Sequence, residues 1–171
     1  MKVNDVIAGA PLHAPALADI EDPFLDPSLL NDAQITSIVV DVLAGTVGIL
    51  LELRQTPHLR ANTGLIRVTG VAQQNWICTT VANEFTAWSI SGATVHSAPT
   101  EFQLTAQCLP TGMLRVVGTS AEFVLLDAGT LDAAPPDYRA DSRELIRFGV
   151  ADQNTDCEVV GVARSVRVDA R

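Results

Sequence analysis

The chain has 171 residues, 47% of them apolar, and a formal charge of −9 from 20 acids against 11 bases. A chain of this length fits one domain and can bury about 70% of its unfolded surface, so it needs neither a metal nor a disulfide framework to fold. The acidic balance excludes a nucleic-acid backbone and an anionic membrane surface as partners, since both are held by clustered Lys and Arg. No apolar run approaches the roughly 18 residues of a membrane span.

Met1 to Ala18 is rich in Ala and Pro and shows no period. Ala16-Leu17-Ala18 has the form of a signal-peptidase site. Pro11, His13 and Pro15 break the apolar region that a secretory signal needs, so none is expected and the expected location is cytoplasmic. Asp19 to Asp32 carries Asp19, Glu21, Asp22, Asp26 and Asp32 with no base. A helical turn is expected from Pro27, since proline is welcome at a helix start. Residues 1–30 are read as an N-terminal arm, ordered in part, and residues 31–171 as a single β-rich domain.

Ile35 to Arg54 is the organising stretch. Ile38, Val40 and Val42 alternate along one strand, and Val47, Ile49, Leu51 and Leu53 along the next, with Ala44-Gly45 as the turn. Thr56 to Gly64 is a loop. Leu65 to Val71 is a strand with Ile66 and Val68 on one face. Ala72 to Glu84 has no clear pattern. Phe85 to Ile90 is a strand with Trp88 facing the core, and Ala93 to His96 is a further extended piece.

The period is clearest in Phe102, Leu104, Ala106 and Cys108, which alternate with Gln103, Thr105 and Gln107. Pro110-Thr111-Gly112 turns this strand into Met113–Gly118, and Ala121 to Asp127 completes an expected three-stranded meander. Gly129 to Pro136 is a linker. Asp141-Ser142-Arg143-Glu144 reads as a capping box for a short helix, Ser142 to Phe148, which Gly149 ends. Cys157 to Val168 is a last strand, at an edge. The fold class is therefore mainly β: an antiparallel sandwich or partly open barrel of about seven to nine strands with one or two short helices.

Chemistry leaves little trace. His13, His58 and His96 stand in no nucleophile–base pattern, and there is no nucleophile elbow, dinucleotide fingerprint or P-loop. Cys78, Cys108 and Cys157 lack zinc-ligand spacing and read as buried structural thiols. No catalytic residue, metal or cofactor is expected. Trp76, Trp88 and Tyr138 are able to stack on a base or sugar, although Trp88 suits a core and Tyr138, after Pro135-Pro136, suits a corner cap.

Leu29-Leu30-Asn31-Asp32-Ala33-Gln34-Ile35-Thr36-Ser37-Ile38, followed by a strand ending Leu50-Leu51-Glu52-Leu53-Arg54, resembles the opening of small bacterial β-rich proteins grouped with toxin-immunity proteins. Asn31 stands where those proteins often have His. Pro136-Asp137-Tyr138 and Glu144 to Gly149 are similar to segments of actinobacterial proteins. The resemblance implies a cytosolic protein that blocks a partner and has no active site of its own. Joined to the acidic segment, it gives the first expectation: a non-enzymatic protein whose surface at Glu21, Asp22, Asp26, Asn31 and Asp32 occludes a basic toxin domain. Two alternatives follow from the apolar composition. One is a small-molecule binder with a ligand held between sheets, and the other is a self-assembling homo-oligomer.

Overall fold

In the computed structural model, which describes residues 1–79 and 85–165, nine strands form one antiparallel sheet. They are β1 (Gln34–Asp41), β2 (Thr46–Glu52), β3 (Thr63–Thr69), β4 (Gln73–Cys78), β5 (Trp88–Ala98), β6 (Glu101–Leu109), β7 (Gly112–Gly118), β8 (Ser120–Asp127) and β9 (Glu158–Arg164). Two short helices accompany them, α1 (Val3–Ile7) and α2 (Arg143–Phe148). The fold is mainly β, as the alternation predicts. The expected last strand runs as far as Arg164, and residues 166–168 of it lie outside the described residues.

The spatial order is β4-β7-β6-β5-β1-β2-β3-β8-β9. β1 and β5 pair only at Gln34–Ser89 and Ile35–Trp88. The sheet folds at this seam into two leaves. Their inner faces share one core: Phe102, Leu104, Leu114 and Val116 from one leaf meet Ile49, Ile66, Val68 and Phe123 from the other. Burial of this apolar area is the main force closing the leaves.

A bulge in β1 makes the seam. The register slips between Ile35 and Ser37, so Thr36 is the extra residue. Ile35 and Ile38, three apart, therefore both face the core opposite Leu51 and Ile49. Beyond the bulge the expected face fails. Val40 and Val42 are exposed: β1 runs on past its pairing with β5 before it reaches Val40, and Val42 lies beyond the end of the strand, in the turn to β2. β2 is buried along its whole length, with Leu50 turned to a second core on the outer face.

The expected meander is also corrected. β6 and β7 pair, but β8 pairs with β3 and β9. The chain crosses between leaves at Gly118, where a Cβ would come within 2.6 Å of Val68 and 2.7 Å of the Thr69 carbonyl. The return crossing from β3 to β4 passes Gly70, at φ +59, where a Cβ would strike Thr119. Two glycines packed this closely let short connections join opposite leaves. β4 itself arises from the unpatterned stretch after Ala72, and β5 joins what read as two pieces through a bulge between Ile90 and Gly92.

Residues 1–30 are built into the fold. α1 lays Val3, Val6 and Ile7 on the outer core with Leu50, Leu65 and Val124. Arg67 fastens it, donating from Nη1 to the Val6 carbonyl at 2.9 Å and from Nη2 to Glu122. Pro15 to Leu17 covers part of the edge of β9: Leu17 N–H donates to Val162 O and Val162 N–H to Pro15 O. This blunts an edge that would otherwise offer unpaired backbone groups. The expected turn at Pro27 is a 3-10 turn, Pro27–Leu30, capped by Asp26.

Candidate functional site

A cavity of about 320 Å³ opens where the leaves part at the β1–β5 seam, roofed by α2 and the chain leading into it. One wall is aromatic. Trp76 sits on β4 opposite Leu114, and Trp88 begins β5 opposite Ile35. Their rings meet edge to face at 5.1 Å and 87°, the arrangement that aromatic quadrupoles favour. The pair rests on Gly112, where a Cβ would come within 2.9 Å of Trp88 and 3.0 Å of Trp76. Thr36, the bulged residue of β1, completes this side. The bulge thus creates both the seam and the cavity beneath it.

The opposite wall comes from α2. The helix is capped by Ser142, whose Oγ accepts from Leu145 N–H, one residue later than the expected cap at Asp141. Asp141 instead accepts from Asp137 N–H and closes the turn that carries Tyr138. This frame puts Ile146 inward and Arg147 at the rim. The Arg147 guanidinium lies 4.7 Å from the Phe85 ring centroid, and that of Arg143 lies 5.5 Å from it, both within cation–π range.

Arg54 holds this wall to the sheet. It forks onto Glu52, with Nε to Oε1 at 2.8 Å and Nη2 to Oε2 at 2.6 Å. Its remaining donors reach the carbonyls of Leu131, Ala133 and Gly149. Burial raises the Tyr138 phenol above its ordinary value, the Glu52 carboxylate adds to the rise, and Arg54 and Arg147 oppose it. Tyr138 is therefore a neutral hydroxyl at the cavity at physiological pH.

The acidic segment does not present its five candidates as one surface. Glu21 and Asp22 are buried. Asp22 accepts from Phe24 N–H at 2.8 Å, which bends the chain there. Asp26 caps the 3-10 turn through Ser28. Asn31 holds its Oδ1 buried without a hydrogen-bond partner among the described residues, and Asp32, exposed, takes a φ of 67. Asp22 and Asp26 are thus occupied with a turn and a cap.

Glu21 accepts from Arg60 Nε at 2.6 Å, and this bond holds its carboxyl below the ordinary value of 4.5. A depressed carboxyl stabilises the fold above its unfolded value and loses that contribution as pH falls through its folded one. Arg60 is 80% exposed, so water and salt weaken the pair. Glu21→Gln is expected to lower Tm at pH 7 by no more than about 2 °C, with the difference from wild type closing as pH falls below the ordinary carboxyl value and through the depressed one. Thermal melts across that range check it; a difference that persists in acid would place its origin elsewhere.

Of the three cysteines, Cys108 and Cys157 are buried, and burial pushes the Cys108 thiol up to about 11 and raises that of Cys157. Cys78 departs from the expectation: it is exposed and lines the cavity. Trp88, expected in the core, is half-buried and shared between core and cavity. The described residues contain no cluster of His, Cys, Asp or Glu able to hold a metal ion, and no helix among them is long and apolar enough to cross a membrane.

No family model matches the chain, and no curated protein matches it. Among solved structures it is similar to an uncharacterized protein from Neisseria gonorrhoeae, with a TM-score of 0.43 and 6% identity over 54% of this chain and 90% of that one.

Proposed function

We propose that this protein binds a small organic molecule in the cavity between the Trp76–Trp88 pair and α2. The observation that carries the reading is the aromatic wall: Trp76, Trp88 and Phe85 line one concave space of about 320 Å³ with Tyr138 and Arg147. That volume lies at the lower end of small-ligand sites, and the mixture of broad apolar faces with a few polar groups is their usual lining. The described lining contains neither histidine nor carboxylate, so Cys78 and Thr86 have no general base beside them there. This favours binding over chemistry. The alternative of occluding a basic toxin domain draws less support, since Glu21 and Asp22 are buried.

The test is a thermal-shift screen of small aromatic compounds, repeated on Trp88→Ala. A ligand at a hundred times its Kd stabilises by about 2.7 kcal/mol, which is about 5–11 °C in Tm for a chain of this size. The expected result is a set of aromatic hits whose shifts disappear in Trp88→Ala. No hit across the screen, or hits indifferent to the Trp88 change, would refute the reading.

A further inference from the structure

The charge at the rim of this cavity narrows the ligand class. The protein as a whole is acidic, with a formal charge of −9. The ion pairs among the described residues take up Arg54, Arg60, Arg67 and Arg164. Arg143 and Arg147 are not among them. Spaced one helical turn apart on α2, they converge on the same ring, Phe85, at 5.5 and 4.7 Å. Glu52, the carboxylate whose charge reaches Tyr138, is already forked onto Arg54.

The cavity thus joins two features. Its floor offers the aromatic edges and faces of Trp76 and Trp88, which suit a flat ring. Its lining offers the Arg147 guanidinium beside the neutral Tyr138 hydroxyl, and Arg143, outside that lining, is held on the same Phe85 ring; neither has a carboxylate partner among the described residues. A guanidinium binds an oxyanion through charge-assisted, often paired, hydrogen bonds and keeps its charge at any working pH. Stacking on Phe85 limits where the Arg147 fork points.

We propose that the ligand is a planar aromatic acid, its ring against Trp76 and Trp88 and its oxyanion on Arg147 and Arg143. This inference rests on the cavity being a binding site. An aliphatic acid would leave the tryptophan wall unused, and an aromatic cation would be repelled at the rim.

The experiment compares three probes of one shape and different charge: naphthoate, naphthamide and naphthylmethylammonium, titrated by calorimetry into the intact protein. The chain's two tryptophans are both at the cavity, so quenching of intrinsic fluorescence reports on that place alone. Naphthoate is expected to bind at least about tenfold more tightly than naphthamide, with the ammonium weakest, and the preference should shrink as salt is raised. In Arg143→Gln/Arg147→Gln, two exposed positions where loss of fold is not expected, the preference should collapse, with naphthoate binding within about twofold of naphthamide in the same variant. Arg164→Gln, on the far edge strand, should leave the preference intact. Equal binding of all three probes, or a preference for naphthoate that survives the double change, would overturn the inference and leave the cavity reading standing. Failure of all three to bind or quench would take down the cavity reading itself.

Discussion

Arg54→Ala is expected to destabilise the protein by about 3–5 kcal/mol, which is roughly 6–20 °C in Tm for a chain of this length. The reason is what it leaves behind. The Glu52 side chain is 1% exposed and has Arg54 as its ion-pair partner. Removing the guanidinium strands a buried carboxylate, and it also strips a donor from the carbonyls of Leu131, Ala133 and Gly149. The larger cost is the Glu52 carboxylate, since a buried acceptor without a donor costs the full desolvation of that group. Arg54→Lys restores one charge but cannot fork onto Glu52 and reach three carbonyls at once, so it should fall between wild type and alanine. Denaturant unfolding of the three proteins measures this. A loss for Arg54→Ala within the roughly 0.5 kcal/mol of an ordinary surface change would show that the pair does not fasten the α2 wall. Because those carbonyls belong to the chain on either side of Tyr138, the alanine protein should also show weaker ligand shifts at temperatures where it remains folded.

The strands were legible wherever one face is wet and the other dry. Phe102, Leu104, Ala106 and Cys108 alternate cleanly because β6 has core on one side only. β2 was legible as a strand but not as a doubly buried one, since its second layer, α1, comes from a segment with no period of its own. The order of the strands was hidden. Nothing local distinguishes the turn at Pro110, which joins neighbours, from the step at Gly118, which joins opposite leaves; the difference lies in the approach of Gly118 to Val68 and Thr69. Val40 and Val42 fit a buried period and are nevertheless exposed, because burial depends on where β5 stops pairing and where the strand itself ends, at Asp41. The cavity follows the same logic. Trp76 and Trp88 were visible as large rings in or beside an unpatterned stretch and Tyr138 as a ring at a distant corner, but a one-residue bulge at Thr36 and a cap at Ser142 bring them together. The acids at 19–32 were conspicuous in composition because turns and caps demand short polar side chains. Composition alone does not separate that demand from a docking surface.

Phe102→Ala is expected to cost about 3–5 kcal/mol, by lost transfer energy and by the cavity left between the leaves. Phe102 is fully buried, and its ring meets that of Phe24 edge to face at 5.2 Å. Phe24 comes from the segment that composition marks as an arm, and the Asp22 carboxylate, accepting from Phe24 N–H, aims it inward. The pair therefore measures how firmly residues 1–30 belong to the core. Phe24 is only half-buried, so Phe24→Ala alone should cost less, about 1–3 kcal/mol. The double variant should fall short of the sum by about 0.5–1.5 kcal/mol, the worth of an aromatic pair beyond its area. Equilibrium unfolding of the four proteins closes the cycle. A loose arm would give a Phe24→Ala cost near zero and no coupling. A cost without coupling would mean that Phe24 covers apolar surface but does not engage Phe102. The expected coupling would instead make the N-terminal segment part of the plug that closes the leaves at Phe102, so that its removal would open the core and not merely trim the chain.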